Sequence, residues 1–357
     1  MKVTAVVLPN NGISYHRFVN PFQYMPWGPQ DIHSMVWAGE GELAIDNKGI
    51  VLYNKFIATP VDILKGMQGN GMKIVVDVDD WWELPSWHPN HQSWYQQENH
   101  KRVADNIKIA DLVICTSMLL QDKVRELNKN TVVIPNALPY GYENYKPQPI
   151  SHDKMCFMYM GGVTHLEDVR LMENKFRRIA SDPYIKTNAE FVLCGYEKSK
   201  QQKKVRNRDG SVTSTIEDMS NGPYDRMSAV FSYTGSYRVL PTASTDDYID
   251  YYDQADVALC PLRKNEWNSY KSVLKIIECG AKEVPVICSK VEPYYPELKD
   301  CPGILWVENN NWLDHIRWCV KHPVQIKELG KQLGQYCREH YDLIKWNNIR
   351  YNVLKSL

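Results

Sequence analysis

Lys271, Lys275 and Glu278 stand at i, i+4 and i+7, so on a helix they share one face. Val273, Leu274, Ile277 and Ala281 form the apolar face that would pack on a sheet. A helix N-terminus offers free N–H groups and the positive end of the dipole, which together seat a diphosphate. Lys271 in the first turn opposes that dipole unless an anion is bound there. Glu278, two turns on, can accept hydrogen bonds from the vicinal hydroxyls of a ribose. The plainer account is a surface helix with a Lys275–Glu278 pair worth ~0.2–0.5 kcal/mol. The residues alone leave both accounts open.

Four other stretches carry chemistry-bearing residues. In 158–165, Gly161 and Gly162 lack Cβ atoms and let backbone approach a ligand, with Thr164 and His165 as hydrogen-bonding groups beside them; a tight turn accounts for the glycines equally well. In 11–17, Gly12 precedes His16 and Arg17, which can reach diphosphate oxygens or simply pair locally. Asp77, Asp79 and Asp80 fall together before Trp81 and Trp82. Such carboxylates can hold a divalent metal, orient an acceptor hydroxyl or cap a helix. The indoles of Trp81, Trp82, Trp87 and Trp94 can stack on a sugar or base, at ~1–3 kcal/mol per nucleobase, or staple a long loop. Finally, 197–221 is polar and holds Lys198, Lys200, Lys203, Lys204, Arg206 and Arg208. It reads as a solvated loop, or as a contact surface for a phosphate-bearing acceptor.

These residues need a scaffold, and the chain alternates short β-rich apolar runs with helical patterns, as a parallel sheet wrapped by helices does. Strands are expected at 2–8, 34–38, 50–53, 73–77, 111–116 and 131–134, with helices at 60–68, 97–109 and 118–127. The polar, proline-containing stretch 137–153 reads as a linker. The alternation then restarts. Strands are expected at 155–160, 190–194, 237–240, 256–260, 284–288 and 304–307, and helices at 168–179, 245–254, 269–281 and 323–340. The fold class is α/β, with two doubly wound Rossmann-like units facing a cleft. The expected division is 1–147, 148–340 and a tail, 341–357, crossing back to the first unit.

Composition narrows the classes. The chain of 357 residues suits two domains, and its 43% hydrophobic and 24% charged residues are those of a globular protein. Lys plus Arg equals Asp plus Glu at 42 each, so no overall field draws it to polyanions. Neither an export signal nor a membrane-spanning run of ~20 apolar residues is evident, and a cytoplasmic protein is expected. Nine scattered cysteines, none in C-x-x-C spacing, suit reduced core thiols. Tyr (22) and Trp (11) outnumber Phe (7), and such amphipathic rings suit a polar ligand needing a flat surface.

The segment 256–295 resembles the donor-binding motif of the GT-B glycosyltransferases, specifically the large retaining, GT4-like group that includes sucrose and glycogen synthases. In that group a loop and helix end in a glutamate that holds the nucleotide ribose, followed by a small-residue turn and a Pro-Val strand. Glu278, Gly280 and Pro285-Val286-Ile287 match that layout. The group's pattern has an earlier glutamate that would fall at position 270, where Tyr270 stands. Its contacts to the donor sugar would pass to Asn265, Asn268 or Ser269. The 158–165 loop resembles the group's phosphate-approaching loop, 11–17 its glycine loop across the cleft, and Ile134-Pro135-Asn136 its turn at the end of the first domain. Phage-encoded glycosyltransferases are similar in overall look.

The resemblance implies a retaining transferase using a nucleotide-diphosphate sugar, UDP- or GDP-linked, with no essential metal. Donor contacts would come from Gly12, Arg17, Gly161, Gly162, Thr164, Leu240, Asn268, Ser269, Lys271, Ser272 and Glu278. Asp79, Asp80, His165 and Lys271 are the candidates for catalysis. His16, Trp81, Trp82, Lys203, Lys204 and Arg206 would meet an acceptor, either a glycan or hydroxymethylated double-stranded DNA. A sugar-nucleotide epimerase and a non-catalytic nucleotide-sugar binding protein are the competing readings.

Overall fold

A computed structural model describes residues 1–38, 49–198, 200–206, 212–218 and 221–357, with backbone alone for 200–206 and 212–218. The first half contains β1 (Lys2–Val7), β2 (Ile32–Trp37), β3 (Ile50–Asn54), β4 (Lys73–Val78), β5 (Leu112–Cys115) and β6 (Thr131–Val133). They form one parallel sheet in the order β2-β1-β3-β4-β5-β6. The second half contains β7 (Met155–Met160), β8 (Ala189–Tyr196), β9 (Lys200–Arg206), β10 (Val212–Asp218), β11 (Tyr237–Pro241), β12 (Val257–Cys260), β13 (Val286–Ser289) and β14 (Ile304–Val307). All but β9 and β10 form a second parallel sheet, β11-β8-β7-β12-β13-β14. Every strand expected from the sequence is present, and both sheets are the two-faced, covered kind that β-branched runs such as Ile74-Val75-Val76 require.

Strand order dictates where a ligand can sit. Neighbouring connections leave the sheet in opposite directions beside β1 in the first unit and beside β7 in the second, opening a crevice at their carboxyl ends. The loops after β1, β4, β7, β8, β11 and β12 all end in one cleft between the halves.

Several expectations need correction. The stretch 137–153 is no solvated linker. Leu138, Tyr140 and Tyr145 are buried in the second core, and the Tyr140 hydroxyl donates to the Ile277 carbonyl at 3.0 Å. Its prolines and polar residues mask that apolar anchor. The 197–221 stretch is not a loop, since β9 and β10 pair antiparallel, Lys200 opposite Asp218 and Arg206 opposite Val212. Two β-capable runs there flank Asp209-Gly210, a hairpin-type dipeptide. The helix expected over 269–281 is two pieces, Glu266–Ser269 and Leu274–Ala281. The Asn265 side chain starts the first by accepting from the Asn268 N–H at 2.8 Å, so the helix begins three residues earlier than expected and stops at Ser269, before Lys271. Likewise 168–179 is broken into Leu166–Val169, a 3-10 turn Arg170–Met172 and Glu173–Ile179, and 245–254 is a 3-10 helix, Tyr248–Gln254.

The last helix, Leu343–Lys355, packs on the first half. Its Asn347 donates to the Pro21 carbonyl at 2.8 Å, Tyr351 donates to Asp31 at 2.9 Å, and Leu354 joins Phe18 and Phe22 in one core. All nine cysteines are buried and unpaired. No helix among the described residues is long and apolar enough to cross a membrane.

The helix Pro323–His340 lies so close to Leu274–Ala281 that side chains are excluded at the contact. A Cβ on Gly330 would sit 1.9 Å from the Glu283 carbonyl oxygen. Gly330→Ala must therefore push the helices apart and is expected to destabilise the fold by ~3 kcal/mol, the upper end of overpacking costs. Urea denaturation checks this; a loss of under ~0.5 kcal/mol would refute the close packing.

Candidate active site

The cleft, of about 830 Å³, is lined from the first half by Asn10 to Ile13, His16, Arg17, Asp79, Asp80 and Asn136. That volume is within the range of small-ligand sites. The second half contributes Gly161, Gly162, Thr164 and His165 after β7, Gly195 near the end of β8, Thr242 to Thr245 after β11, and Tyr248, Lys271, Ser272, Lys275 and Glu278.

Arg17 does not reach freely into this space. Its Nε and Nη2 donate to Asp77 at 3.0 and 2.7 Å, Nη2 also to the Ile134 carbonyl at 3.0 Å, and Nη1 to Asn136 at 3.2 Å. The guanidinium is 1% exposed and Asp77 likewise. This bidentate pair is structural: it ties the turn after β1 to the ends of β4 and β6. Asn136 passes the tie onward by donating to Ser272 Oγ at 2.8 Å, across the cleft.

Asp79 and Asp80 are held by one lysine. Lys55 Nζ lies 3.2 Å from Asp79 and 2.7 Å from Asp80, and Asn54 donates to Asp79 at 2.8 Å. Burial alone would discharge Lys55, but the two carboxylates outweigh it and raise its pKa. Asp79 is lowered, because Lys55 and Asn54 overcome its own burial. A carboxylate so stabilised makes a weak proton acceptor, so Asp79 is poorly suited to the role of general base.

The opposite wall is cationic. Lys271 Nζ lies over the Trp267 ring at 3.8 Å and Lys275 Nζ over the Tyr159 ring at 4.9 Å. Neither ion-pairs with a carboxylate among the described residues. Burial lowers both pKa values, and the Lys275 ammonium lowers that of Lys271 further. Two partly covered cations without a carboxylate ligand among the described residues, at the N-terminal end of Leu274–Ala281, can together take an anion. The glycine loop completes it. A Cβ on Gly161 would stand 2.8 Å from Lys275 Nζ and 2.5 Å from the Tyr159 hydroxyl, whereas Gly12 and Gly162 have open space around them. Gly161 is thus what lets Lys275 lie against the loop. Gly195 turns at φ +82°, a conformation glycine adopts without strain.

His165 and Glu278 flank this anion site. His165 Nδ1–H donates to Asp168 Oδ2 at 2.7 Å, which leaves Nε2 a lone pair. Burial and the charges of Lys275 and Lys271 lower its pKa to about 3, so the ring is neutral at physiological pH. Asp168 also accepts from the Arg263 N–H at 2.8 Å and from Asn268 at 3.1 Å, fixing the loop that follows β12. Glu278 is 4% exposed; it accepts from Tyr248 at 2.5 Å and Tyr252 at 3.3 Å. Burial raises its pKa to about 7 despite those two bonds and Lys275.

The cleft thus brings together Gly12, His16, Arg17, Asp79, Asp80, Gly161, Gly162, Thr164, His165, Lys271, Ser272 and Glu278. Five expected contacts lie elsewhere. Asn268 is wholly buried and donates to Asp168 and the Arg263 carbonyl; Ser269 Oγ donates to the Asn265 carbonyl at 3.0 Å. Leu240 sits in the edge strand β11, and the cleft wall begins two residues on at Thr242. Trp81 stacks on Tyr270 at 4.6 Å, and Trp82 is core, 4% exposed. The side chains of Lys203, Lys204 and Arg206 lie outside the described residues. Sequence reasoning omitted Lys275, Asn136 and Tyr248 from the site. Lys275 was signalled by its i+4 spacing from Lys271, while nothing local marks Tyr248.

No protein-family model matches the chain, and no curated protein matches it. Solved structures do. A sucrose-phosphate synthase from Thermosynechococcus elongatus superposes with a TM-score of 0.67 at 12% identity, over 100% of this chain and 98% of that one. Anabaena Alr3699/HepE, solved in complex with UDP-glucose, gives 0.67 at 11% identity, over 100% of both chains. A UDP-forming α,α-trehalose-phosphate synthase from Burkholderia xenovorans gives 0.57 at 11% identity, over 87% of this chain and 74% of that one. The fold is GT-B.

Glu278 makes stability pH-dependent. Its carboxyl titrates near 7 when folded against an ordinary 4.5, so the folded chain holds a proton the unfolded chain has released. That contribution is complete below about pH 4.5 and is lost as pH rises through about 7. Glu278→Gln cannot ionise, so its Tm relative to wild type is expected to rise between about pH 5 and pH 8. A Tm difference that stays constant across that range would contradict the buried titration.

Proposed function

We propose that the chain is a retaining glycosyltransferase that moves a sugar from a nucleotide-diphosphate sugar, UDP- or GDP-linked, to an acceptor hydroxyl. The observation that carries this reading is the anion site: Lys271 and Lys275, without carboxylate partners among the described residues, beside the Gly161-Gly162 loop and at the start of the helix that carries Glu278. A diphosphate matches the two cations, and Glu278 below them can accept from both ribose hydroxyls. The likeness to structures that hold UDP-glucose supports the same assignment.

In this reading residues 148–340 grip the donor, 1–147 present the acceptor, and 341–357 brace the first unit. As the donor's bond to its anomeric carbon breaks, negative charge grows on the leaving diphosphate. Lys271 and Lys275 stabilise that charge at fixed distance in a partly desolvated wall, where it counts for more than in water. The acceptor's proton passes to the departing phosphate on the same face, so the protein need not supply a strong base. Such a route fits the site, since Asp79 is lowered by Lys55 and His165 is neutral and bound to Asp168. His165 Nε2 then acts as a hydrogen-bond acceptor for a sugar hydroxyl. A glycan is the acceptor class the reading favours, and a hydroxymethylated base in duplex DNA is the alternative, which the backbone of the β9–β10 hairpin neither supports nor opposes.

The test is a panel of UDP-, GDP-, ADP- and dTDP-sugars scored by thermal shift and by nucleotide released, with glycans and hydroxymethylated DNA as acceptors. One UDP- or GDP-sugar is expected to stabilise the wild type. Lys275→Ala and Glu278→Ala should each weaken that donor at least tenfold, as loss of one charge-assisted contact does. If no sugar nucleotide binds, or both variants bind like wild type, the reading falls.

A further inference from the structure

A hydrogen-bonded chain crosses the cleft from one half to the other. His16, on the π-helical turn Tyr15–Val19 of the first half, meets the Tyr248 hydroxyl at 2.7 Å through Nε2. Tyr248, opening the 3-10 helix Tyr248–Gln254 of the second half, meets Glu278 Oε1 at 2.5 Å. Its direction follows from chemistry. Tyr248 donates to Glu278, the direction an ionised carboxylate requires, and the Tyr248 oxygen is left to accept. His16 Nε2 must then carry the proton. The ring stays neutral, since burial and Arg17 lower its pKa to about 3. Nδ1 is consequently a bare lone pair, and it is a buried atom without a partner. The other tautomer would bury an orphan N–H instead, the rarer and costlier defect.

We propose that His16 is a positioning residue for Glu278: from the opposite half it holds the Tyr248 hydroxyl toward the carboxylate, and so couples nucleotide-sugar binding to apposition of the two halves. The inference rests on the proposed function and deepens it, because the ribose-gripping glutamate of one half is then set only when the other half is in place. Glu278 is faced by Lys275 from its own helix, by Tyr248 and Tyr252 from the 3-10 helix, and by Tyr140 and Tyr145 from the buried stretch that joins the halves. His16 is faced by Tyr248, by the Glu278 carboxylate 3.7 Å from its Nε2, by Tyr15 edge-on at 5.2 Å, and by Arg17. Of these, Tyr248, Lys275 and Tyr252 favour the carboxylate form, so losing the Tyr248 bond pushes Glu278 further up.

Three substitutions separate positioning from packing. His16→Leu removes the donor to Tyr248. His16→Gln keeps an N–H at the reach of Nε2. Tyr248→Phe removes the relay while keeping the ring. UDP and GDP binding to the full chain is measured by calorimetry between about pH 6 and 9, with thermal unfolding as the folding control. Wild-type affinity is expected to rise with pH through a midpoint near 7 and to level above it, as Glu278 ionises. His16→Leu and Tyr248→Phe should bind about tenfold more weakly at pH 7, with the rise displaced to higher pH, while His16→Gln stays within about threefold of wild type. Nitrogen-15 NMR of labelled histidine in the ligand-free chain should show His16 protonated at Nε2.

If His16→Leu and Tyr248→Phe keep the wild-type affinity and pH profile while Glu278→Ala loses nucleotide, the site stands and the positioning role is overturned. If the wild type binds neither nucleotide at any pH, it is the proposed function that fails. The NMR readout needs no ligand, and an Nδ1-protonated His16 would by itself overturn the chain of bonds.

Discussion

The geometry of the cleft hangs on the buried pairing of Arg17 with Asp77. Two charges that are each about 1% exposed are tolerable only because the guanidinium is met bidentately and its remaining donors find Asn136 and the Ile134 carbonyl. Removing either partner would strand the other, at a cost of ~3–5 kcal/mol. That constraint fixes three strand ends, β1, β4 and β6, as one rim. Everything the first half offers to the cleft is then positioned: His16 precedes Arg17 in the same turn, Asp79 follows Asp77 by two residues, and Asn136 reaches across to Ser272.

The two walls divide the electrostatic labour. On the first half each carboxylate already has a cation, Asp77 with Arg17 and the Asp79–Asp80 pair with Lys55. On the second half the cations Lys271 and Lys275 face aromatic rings rather than acids. A ring face attracts a cation weakly and does not neutralise it, so the charge remains available to a ligand. The difference between the walls is what gives the cleft polarity, in a chain whose formal charges sum to zero.

Much of this was legible in the amino-acid order, because parallel strands buried on both faces announce themselves as apolar runs. The strands at Met155–Met160 and Ile304–Val307 are read to the residue. Helical details were less so. The 269–281 pattern has sound periodicity, yet the helix restarts only at Leu274, whose N–H donates to Ser272, and such local competition is invisible to a period. The role of Arg17 was equally hidden: its partner lies 60 positions away, and only the closed sheet brings them together. Polar composition misled at 137–153, where a few aromatic anchors among prolines decide burial. Tyr270, standing where the resemblance leads one to look for a glutamate, turns out to face Trp81 of the other half.

That last contact makes the seam between the halves unequal. On one side Trp81 lies flat on Tyr270 and Trp87 meets Trp267 edge-on at 5.3 Å, so ring area is shared. On the other, the ties are single polar bonds, His16 with Tyr248 and Asn136 with Ser272. Stacked rings slide before they part, whereas a single bond breaks within a fraction of an ångström. The seam is therefore built like a bound book, with the aromatic rings as its spine and the histidine edge as the side where opening would meet less resistance.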